Sequence, residues 1–141
     1  MSGVRIRPAA VDDGAALELL VRQLGYDENA ADILARLAAM EQRGLTALVA
    51  ELDGRVVGCL ATSIMPVLHR PKPVGRISMM VVEEGLRSQG IGEQLVRAAE
   101  AWLKDQGCGM IEVTSNMKRT DAHRFYQRLG FEPTSYRFAR D

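Results

Sequence analysis

The stretch that most restricts the fold is Val74 to Ser115. An apolar run, VGRISMMVV, passes through EEGLRSQG into the longest amphipathic pattern of the chain and on to a second short run, MIEVTS. Ile77, Met79 and Val81 alternate with their neighbours, the two-residue period of a strand. Ile91, Leu95, Ala98, Ala99, Trp102 and Leu103 recur at helical spacing from Gly90 to Asp105, and Gly107 ends the pattern. Two strands joined through such a helix pair in parallel, with the helix crossing over one face of the sheet. The chain is therefore of mixed α/β or α+β class.

The flanking segments extend this unit. Val4 to Arg7 reads as a short strand stopped by Pro8. Leu17, Leu20, Val21 and Leu24 form a helical face closed by Gly25, and Ile33, Leu34, Leu37 and Met40 form another between about Glu28 and Gln42. Thr46–Leu52 and Arg55–Met65 are strand patterns separated by Asp53-Gly54, a two-residue link that favours a hairpin because both residue types tolerate positive φ. His69 to Pro73 is a proline-rich loop. After MIEVTS the pattern predicts a helix from Thr120 to about Leu129, stopped by Gly130, and a final strand from Phe131 to Phe138. With no repeat, linker or low-complexity tract, residues 1–141 are expected to form one domain.

Eighteen basic against eighteen acidic residues leave no net charge. That removes the broad attraction on which nucleic-acid or anionic-membrane binding relies, so neither partner is expected. No apolar run approaches the roughly 20 residues of a membrane span, and the first residues lack the apolar middle of a signal peptide. Cys59 and Cys108 form neither a CxxC pair nor a disulfide framework. Together these features predict a soluble, cytoplasmic protein. His69 and His123 are the only histidines and have no ligand spacing, so no metal is expected.

Gly90 and Gly92 flank Ile91 where the long helix begins. RSQGIG lacks the spacing of a nucleotide-triphosphatase phosphate loop or of a dinucleotide fold, but it shares their physics. The first N–H groups of a helix have no partner within it, the helix dipole adds partial positive charge, and a missing Cβ lets a phosphate approach. Arg87 adds a full charge. A dipole worth roughly 0.3–1 kcal/mol is weak alone, so several N–H groups must act on the same oxygens, which favours a pyrophosphate over one carboxylate. The competing reading is a glycine turn that merely lets strand and helix pack closely.

VVEEGLRSQGIGEQL resembles the cofactor motif of the GCN5-related N-acetyltransferases (GNAT), with Arg87, Gly90 and Gly92 in the matching positions. The second signature of that family is resembled by SNMKRTDAHRFYQRLGF, with Asn116, Ala122, Tyr126, Gly130 and Phe131 at the corresponding places. The resemblance implies a mixed sheet with central splayed parallel strands flanked by helices, and acetyl-CoA as co-substrate. It implies that Val81 and Val82 offer backbone to the pantetheine as a missing strand would. Arg87, Ser88, Gln89, Gly90, Ile91 and Gly92 would hold the pyrophosphate, with the Ile91 side chain turned inward to anchor the helix. Asn116 corresponds to a residue that often reaches the pantetheine arm, and is equally a plain turn residue. A homodimer is common in the resembled family.

Acetyl transfer to an amine poses two proton problems. An amine of pKa about 10.4 is mostly protonated at pH 7, a deficit of roughly 4–5 kcal/mol that a base or a desolvating site must offset. The departing thiolate needs a proton, and Tyr126 matches the tyrosine that supplies it in the resembled family; as packing residue its alternative is to sit beside Phe125. For the base there are two candidates. Glu112, in a strand of apolar character, either faces solvent or enters the cleft with a raised pKa; Glu83, directly after Val82, is its rival. His123 is read as shaping the acceptor pocket or facing solvent.

The segment NMKRTDAHRFY is most like that of aminoalkylphosphonate acetyltransferases, which suggests a small primary amine whose anionic group Lys118, Arg119 or Arg124 could meet. The same basic residues are equally read as a solvated helix start or as partners of the CoA 3′-phosphate. Tyr26, Asp27 and Glu28 in the early helices form no interpretable motif. The competing functions are acetylation of a protein N-terminus or lysine, and acyl-CoA sensing without turnover.

Overall fold

A computed structural model describes residues 3–87 and 89–141. Along the chain run β1 (Val4–Pro8), α1 (Gly14–Leu24), α2 (Ala30–Gln42), β2 (Ala47–Leu52), β3 (Arg55–Met65), β4 (Val74–Val82), α3 (Ile91–Asp105), β5 (Met110–Val113) and α4 (Thr120–Arg128), with single 3-10 turns at Val11–Asp13 and Glu84–Leu86. Local chemistry sets these limits. Gly25 closes α1 at φ 111°, and the Asn29 side chain caps α2 by accepting the Asp32 N–H at 2.8 Å. Asp53 and Gly54 take φ of 52° and 77°, the left-handed pair a two-residue hairpin needs, so β2 folds back on β3.

One five-stranded sheet has the order β1-β2-β3-β4-β5. Every pairing is antiparallel except β4 with β5, which the α3 crossover makes parallel as the helix-linked pattern predicted. Helices cover both faces. Ile91, Leu95, Val96, Ala99 and Leu103 of α3 are fully buried against one face, with Phe125, Tyr126 and Leu129 of α4 packed beside them; each such large apolar side chain contributes about 1.5–3 kcal/mol over exposure. On the other face Leu17, Leu20 and Leu37 of α1 and α2 lie on Val49, Cys59 and Val81. The N-terminal end is tied by an ion pair: Arg7 donates to Asp13 at 2.8 and 2.9 Å and to Glu51 at 2.9 Å. Its guanidinium holds the Asp13 carboxyl below the usual range.

β4 carries the irregularity on which the site depends. Ala61 of β3 pairs with Met79 and Thr62 with Ile77, so Ser78 is an extra, bulged residue. A one-residue insertion reverses the alternation of faces. Ile77, Met80 and Val82 therefore pack under α3, and Met79 and Val81 under α1 and α2. This corrects the regular alternation of Ile77, Met79 and Val81. Methionine and valine fill both sets, which is why composition leaves no trace of the shift.

The expected final strand does not form: among the described residues the sheet ends at β5, and no strand lies between Phe131 and Phe138. The backbone is committed elsewhere. Gly130, at φ 99°, donates to the Gln127 carbonyl at 3.0 Å, and the Phe131 N–H donates to the Tyr126 carbonyl at 3.0 Å. These two bonds make a left-handed helix cap whose apolar contact is Phe131 on Tyr126. Pro133 then removes a donor. Tyr136 and Phe138 remain 80% and 92% exposed.

Candidate active site

β4 pairs with β5 only over Val74–Ile77 against Met110–Val113, yet continues to Val82. Beyond the Ser78 bulge the two parallel strands part, and β4 presents a free edge. Which groups line it follows from the ladder. Glu83 N–H donates to the Val57 carbonyl at 2.8 Å, and alternate residues of an antiparallel strand point their backbone groups to opposite sides. The Val81 N–H and C=O therefore face β3, while those of Met80 and Val82 face the gap. Of the expected pair, Val82 turns its backbone into the gap and Val81 contributes its buried side chain to the core. Met80 is the residue the sequence reading missed, because only the bulge and the register identify it.

The gap leads to the N-terminus of α3. Gly90 caps that helix at φ 83°, with nothing within 4 Å of where a Cβ would stand. Its carbonyl accepts the first helical bond, from Gln94 N–H at 3.1 Å. The N–H groups of Ile91, Gly92 and Glu93 thus have no intrahelical acceptor. Gly92 has another reason to lack a side chain: its Cβ would lie 3.2 Å from Phe125 Cζ and 3.6 Å from Met80 Cε. The two glycines are thus glycine for different structural reasons. Gly90 provides open space and a left-handed turn, and Gly92 lets α4 approach. The Ile91 side chain is buried, 1% exposed. Arg87 is exposed and donates from Nε to the Val82 carbonyl at 3.2 Å, which folds it across the end of β4. Gln89 is exposed in the same loop; Ser88 lies outside the described residues.

Tyr126 packs on the α3 face of the sheet, against the same core cluster as Met80. Phe125 and Phe131 meet its ring edge-on at 5.1 and 6.0 Å. Burial pushes the phenol pKa above its ordinary value, and the nearby Arg119 charge pulls it partly back. At neutral pH the phenol is therefore protonated. Ser115, two residues beyond β5, has a buried hydroxyl with no hydrogen-bond partner among the described residues, a polar group available to a ligand.

The two carboxylates are both engaged by arginines. Glu112 stands opposite Arg76 in the parallel register and accepts its Nε–H at 2.7 Å. Because Ile77 faces α3, this pair lies on the opposite, α1/α2 side of the sheet, just before the bulge. Glu83 is held bidentately by Arg55 at 2.8 and 3.0 Å. At about 3.3 Å per residue it lies some 16 Å along the chain from Ser78. Asn116 acts as a turn former: its Oδ1 accepts the Lys118 N–H at 2.9 Å. Its carbonyl lies 2.8 Å from His123 Nε2, a contact that requires the proton on that nitrogen. Lys118, Arg119 and Arg124 are exposed. Among the described residues no cluster of side chains could hold a metal ion, and no helix is long and apolar enough to cross a membrane.

An open helix start, a strand edge whose Met80 and Val82 backbone groups face the gap, and an unpaired buried hydroxyl fit acetyl-CoA, whose pyrophosphate and pantetheine amides need such partners. The sequence pattern described as the Acetyltransferase (GNAT) family matches residues 15–131. The aminoalkylphosphonate N-acetyltransferase of Salmonella typhimurium is 38% identical over 88 residues, which are 62% of this chain and 57% of that protein. The chain thus spans little more than half the length of that relative. An aminoglycoside N(6′)-acetyltransferase type 1 of Stenotrophomonas maltophilia is 29% identical over 94% of this chain and 89% of its own. Among solved structures, an aminoglycoside N-acetyltransferase in complex with CoA superposes with a TM-score of 0.87, covering 98% of this chain and 94% of that one at 24% identity, a likeness of fold.

Proposed function

The chain belongs to the acetyltransferase (GNAT) family, and from that premise we propose that it moves an acetyl group from acetyl-CoA to the primary amine of a small molecule. The observation that carries this reading is the parting of β4 and β5 at Ser78, with Met80 and Val82 edge groups on one side and the uncapped start of α3 at its end. Met80 and Val82 bond the pantetheine amides as an added strand would. Gly90, Ile91 and Gly92 N–H groups, with Arg87, hold the pyrophosphate. The names of the aminoalkylphosphonate and aminoglycoside acetyltransferase relatives support an amine acceptor.

The chemistry is divided across the sheet. The amine approaches from the α1/α2 side, where Glu112 lies, and attacks the thioester carbonyl in the gap. Tyr126, on the α3/α4 side, donates its phenolic proton to the sulfur as the carbon–sulfur bond breaks. The proton released by the amine passes through water to Glu112, whose Arg76 partner fixes its orientation, and Tyr126 is reprotonated from solvent. Amine and thioester thus become amide and thiol with no net gain or loss of protons. Glu83, tied to Arg55 at the far end of β4, serves to anchor the strand end.

Thiol release measured for the parent and for Tyr126→Phe, with calorimetric titration of acetyl-CoA into both, tests the reading. The expected result is a turnover loss of about 10²–10⁴-fold with acetyl-CoA affinity retained. Equal turnover removes Tyr126 as acid, and no uptake of acetyl-CoA by the parent removes the enzyme assignment altogether.

A further inference from the structure

A cavity of about 510 Å³ lies between α1, α2 and the sheet, and it reaches β4 at Ser78 and Met79, where the strands part. Its volume is within the ordinary range for a small-molecule site. Its walls are Leu17, Val21, Ile33, Leu37, Met40 and Met79. The charged groups that touch it are Glu28 and Arg36, which are bonded to each other. Tyr26 stands at the same rim, 62% exposed.

We infer that the acetyl acceptor is a primary amine on an apolar body, an arylalkyl- or alkylamine, bound with that body between α1 and α2 and its amine at Ser78. This deepens the acetyltransferase reading and rests on it. The argument is one of charge and hydration. An aminoglycoside brings several ammonium and hydroxyl groups, which Leu, Val, Ile and Met walls leave without partners, and unpaired buried polar groups are strongly disfavoured. A phosphonate requires an uncommitted cation, whereas Arg36 already faces Glu28. An aromatic ring or alkyl chain gains from the same walls by leaving water. The chemistry of this cavity therefore points away from the substrates in the names of both relatives. Desolvation here also favours the neutral amine, the form that attacks.

The discriminating experiment measures kcat/KM by thiol release for 2-phenylethylamine, (2-aminoethyl)phosphonate and neamine, with acetyl-CoA affinity measured in parallel. Preference for 2-phenylethylamine by about 10-fold or more, the range over which apolar pockets discriminate, is the expected outcome. A higher value for the phosphonate or for neamine overturns the inference while leaving the acetyltransferase reading intact. Turnover of none of the three with acetyl-CoA bound also overturns it, and failure to bind acetyl-CoA sinks the underlying reading as well. Met40→Glu places a carboxylate in the wall near the end of α2, with Met40→Leu as control. In the folded Glu variant, confirmed by its melting transition, KM for 2-phenylethylamine should rise about 10-fold with acetyl-CoA affinity unchanged, and the Leu variant should match the parent. An unchanged KM in the folded Glu variant contradicts the proposed placement. If the Glu variant does not fold, the three-amine comparison on the parent decides.

Discussion

Phe131 holds Tyr126 twice: its N–H donates to the Tyr126 carbonyl at 3.0 Å, and its ring meets the tyrosine ring edge-on at 6.0 Å. The residue that closes α4 thereby also fixes the χ angles of the proposed acid. Truncation to alanine keeps the backbone bond and removes the ring. An aromatic pair is worth about 0.5–1.5 kcal/mol beyond the area it buries. Phe131→Ala should therefore destabilise by about 2 kcal/mol once lost burial of this partly buried ring is included. It should also lower kcat more than it changes acetyl-CoA affinity. Chemical unfolding together with steady-state kinetics checks both, and an unaltered kcat would show that Tyr126 needs no support from this side.

The two glycines at the start of α3 should respond differently to the same substitution. At Gly90 an alanine meets no atom but must hold φ near 83°, at roughly 1–2 kcal/mol. Relief of that strain would turn the N–H groups of the helix start, so Gly90→Ala should weaken CoA binding about 10-fold with little change in the amine KM. At Gly92 the backbone is helical and the obstacle is the Phe125 ring at 3.2 Å. Gly92→Ala should leave CoA binding nearly intact and lower kcat, because α4 carries Tyr126 next to Phe125. Titration calorimetry beside kinetics separates the two; equal effects would mean that the glycines act as one loop.

Much of this arrangement was legible along the chain because its signals are local. A strand period, a glycine-rich turn and a helix period in succession suffice to predict a parallel pair with a crossover, and Asp53-Gly54 suffices for the hairpin. What escaped depends on register or on contacts between distant residues. The Ser78 bulge is invisible because Met79, Met80, Val81 and Val82 are apolar whichever way they face. The partnership of Glu112 with Arg76 exists only once β5 is set beside β4, and the role of Gly92 only once Phe125 arrives from α4. The sequence pattern predicts a strand from Phe131, whereas Gly130 and Phe131 spend their N–H groups on capping the helix. The apolar cavity likewise required α1 and α2 to be laid over the sheet.

Alkaline pH should expose the cost of two buried acids. Burial pushes the Cys59 thiol up to about 12 and raises Tyr126 in the same direction. Both groups keep their protons longer in the folded chain than in the unfolded one. Their contribution is fully present below the unfolded values, near 9 for the thiol and 10 for the phenol. As pH climbs from there through the folded values, the unfolded state loses protons that the native state retains, and stability declines. Each group contributes at most about 1.4 kcal/mol per pH unit over its window. Replacing the thiol by Cys59→Ala should flatten the decline between pH 9 and 12 relative to the parent, although it lowers stability at pH 7 by leaving a small void. Melting temperatures in a pH series measure the slope, and parallel slopes in parent and variant would place the sensitivity elsewhere.

The engaged carboxylates supply the sharpest test of direction across the sheet. Glu112 and Glu83 are alike in charge, in partial burial and in having an arginine partner, so a purely electrostatic role would make them interchangeable. Position separates them, since Glu112 lies beside the bulge on the α1/α2 side, the proposed approach of the amine, and Glu83 lies beyond the last edge group of β4. Glutamine preserves the shape of each side chain and an oxygen for the arginine to donate to, while removing the ability to take a proton. Glu112→Gln should therefore lower kcat by about 10²-fold, and the loss should diminish at higher pH as more of the amine enters neutral. Glu83→Gln should leave kcat within about 2-fold and weaken only the tie to Arg55, a small loss because that ion pair is open to solvent. The pH–rate profiles of the two variants decide the matter: a Glu112→Gln profile identical to that of the parent would assign the amine proton to water alone, and a large loss in Glu83→Gln would move the base to the other end of the strand.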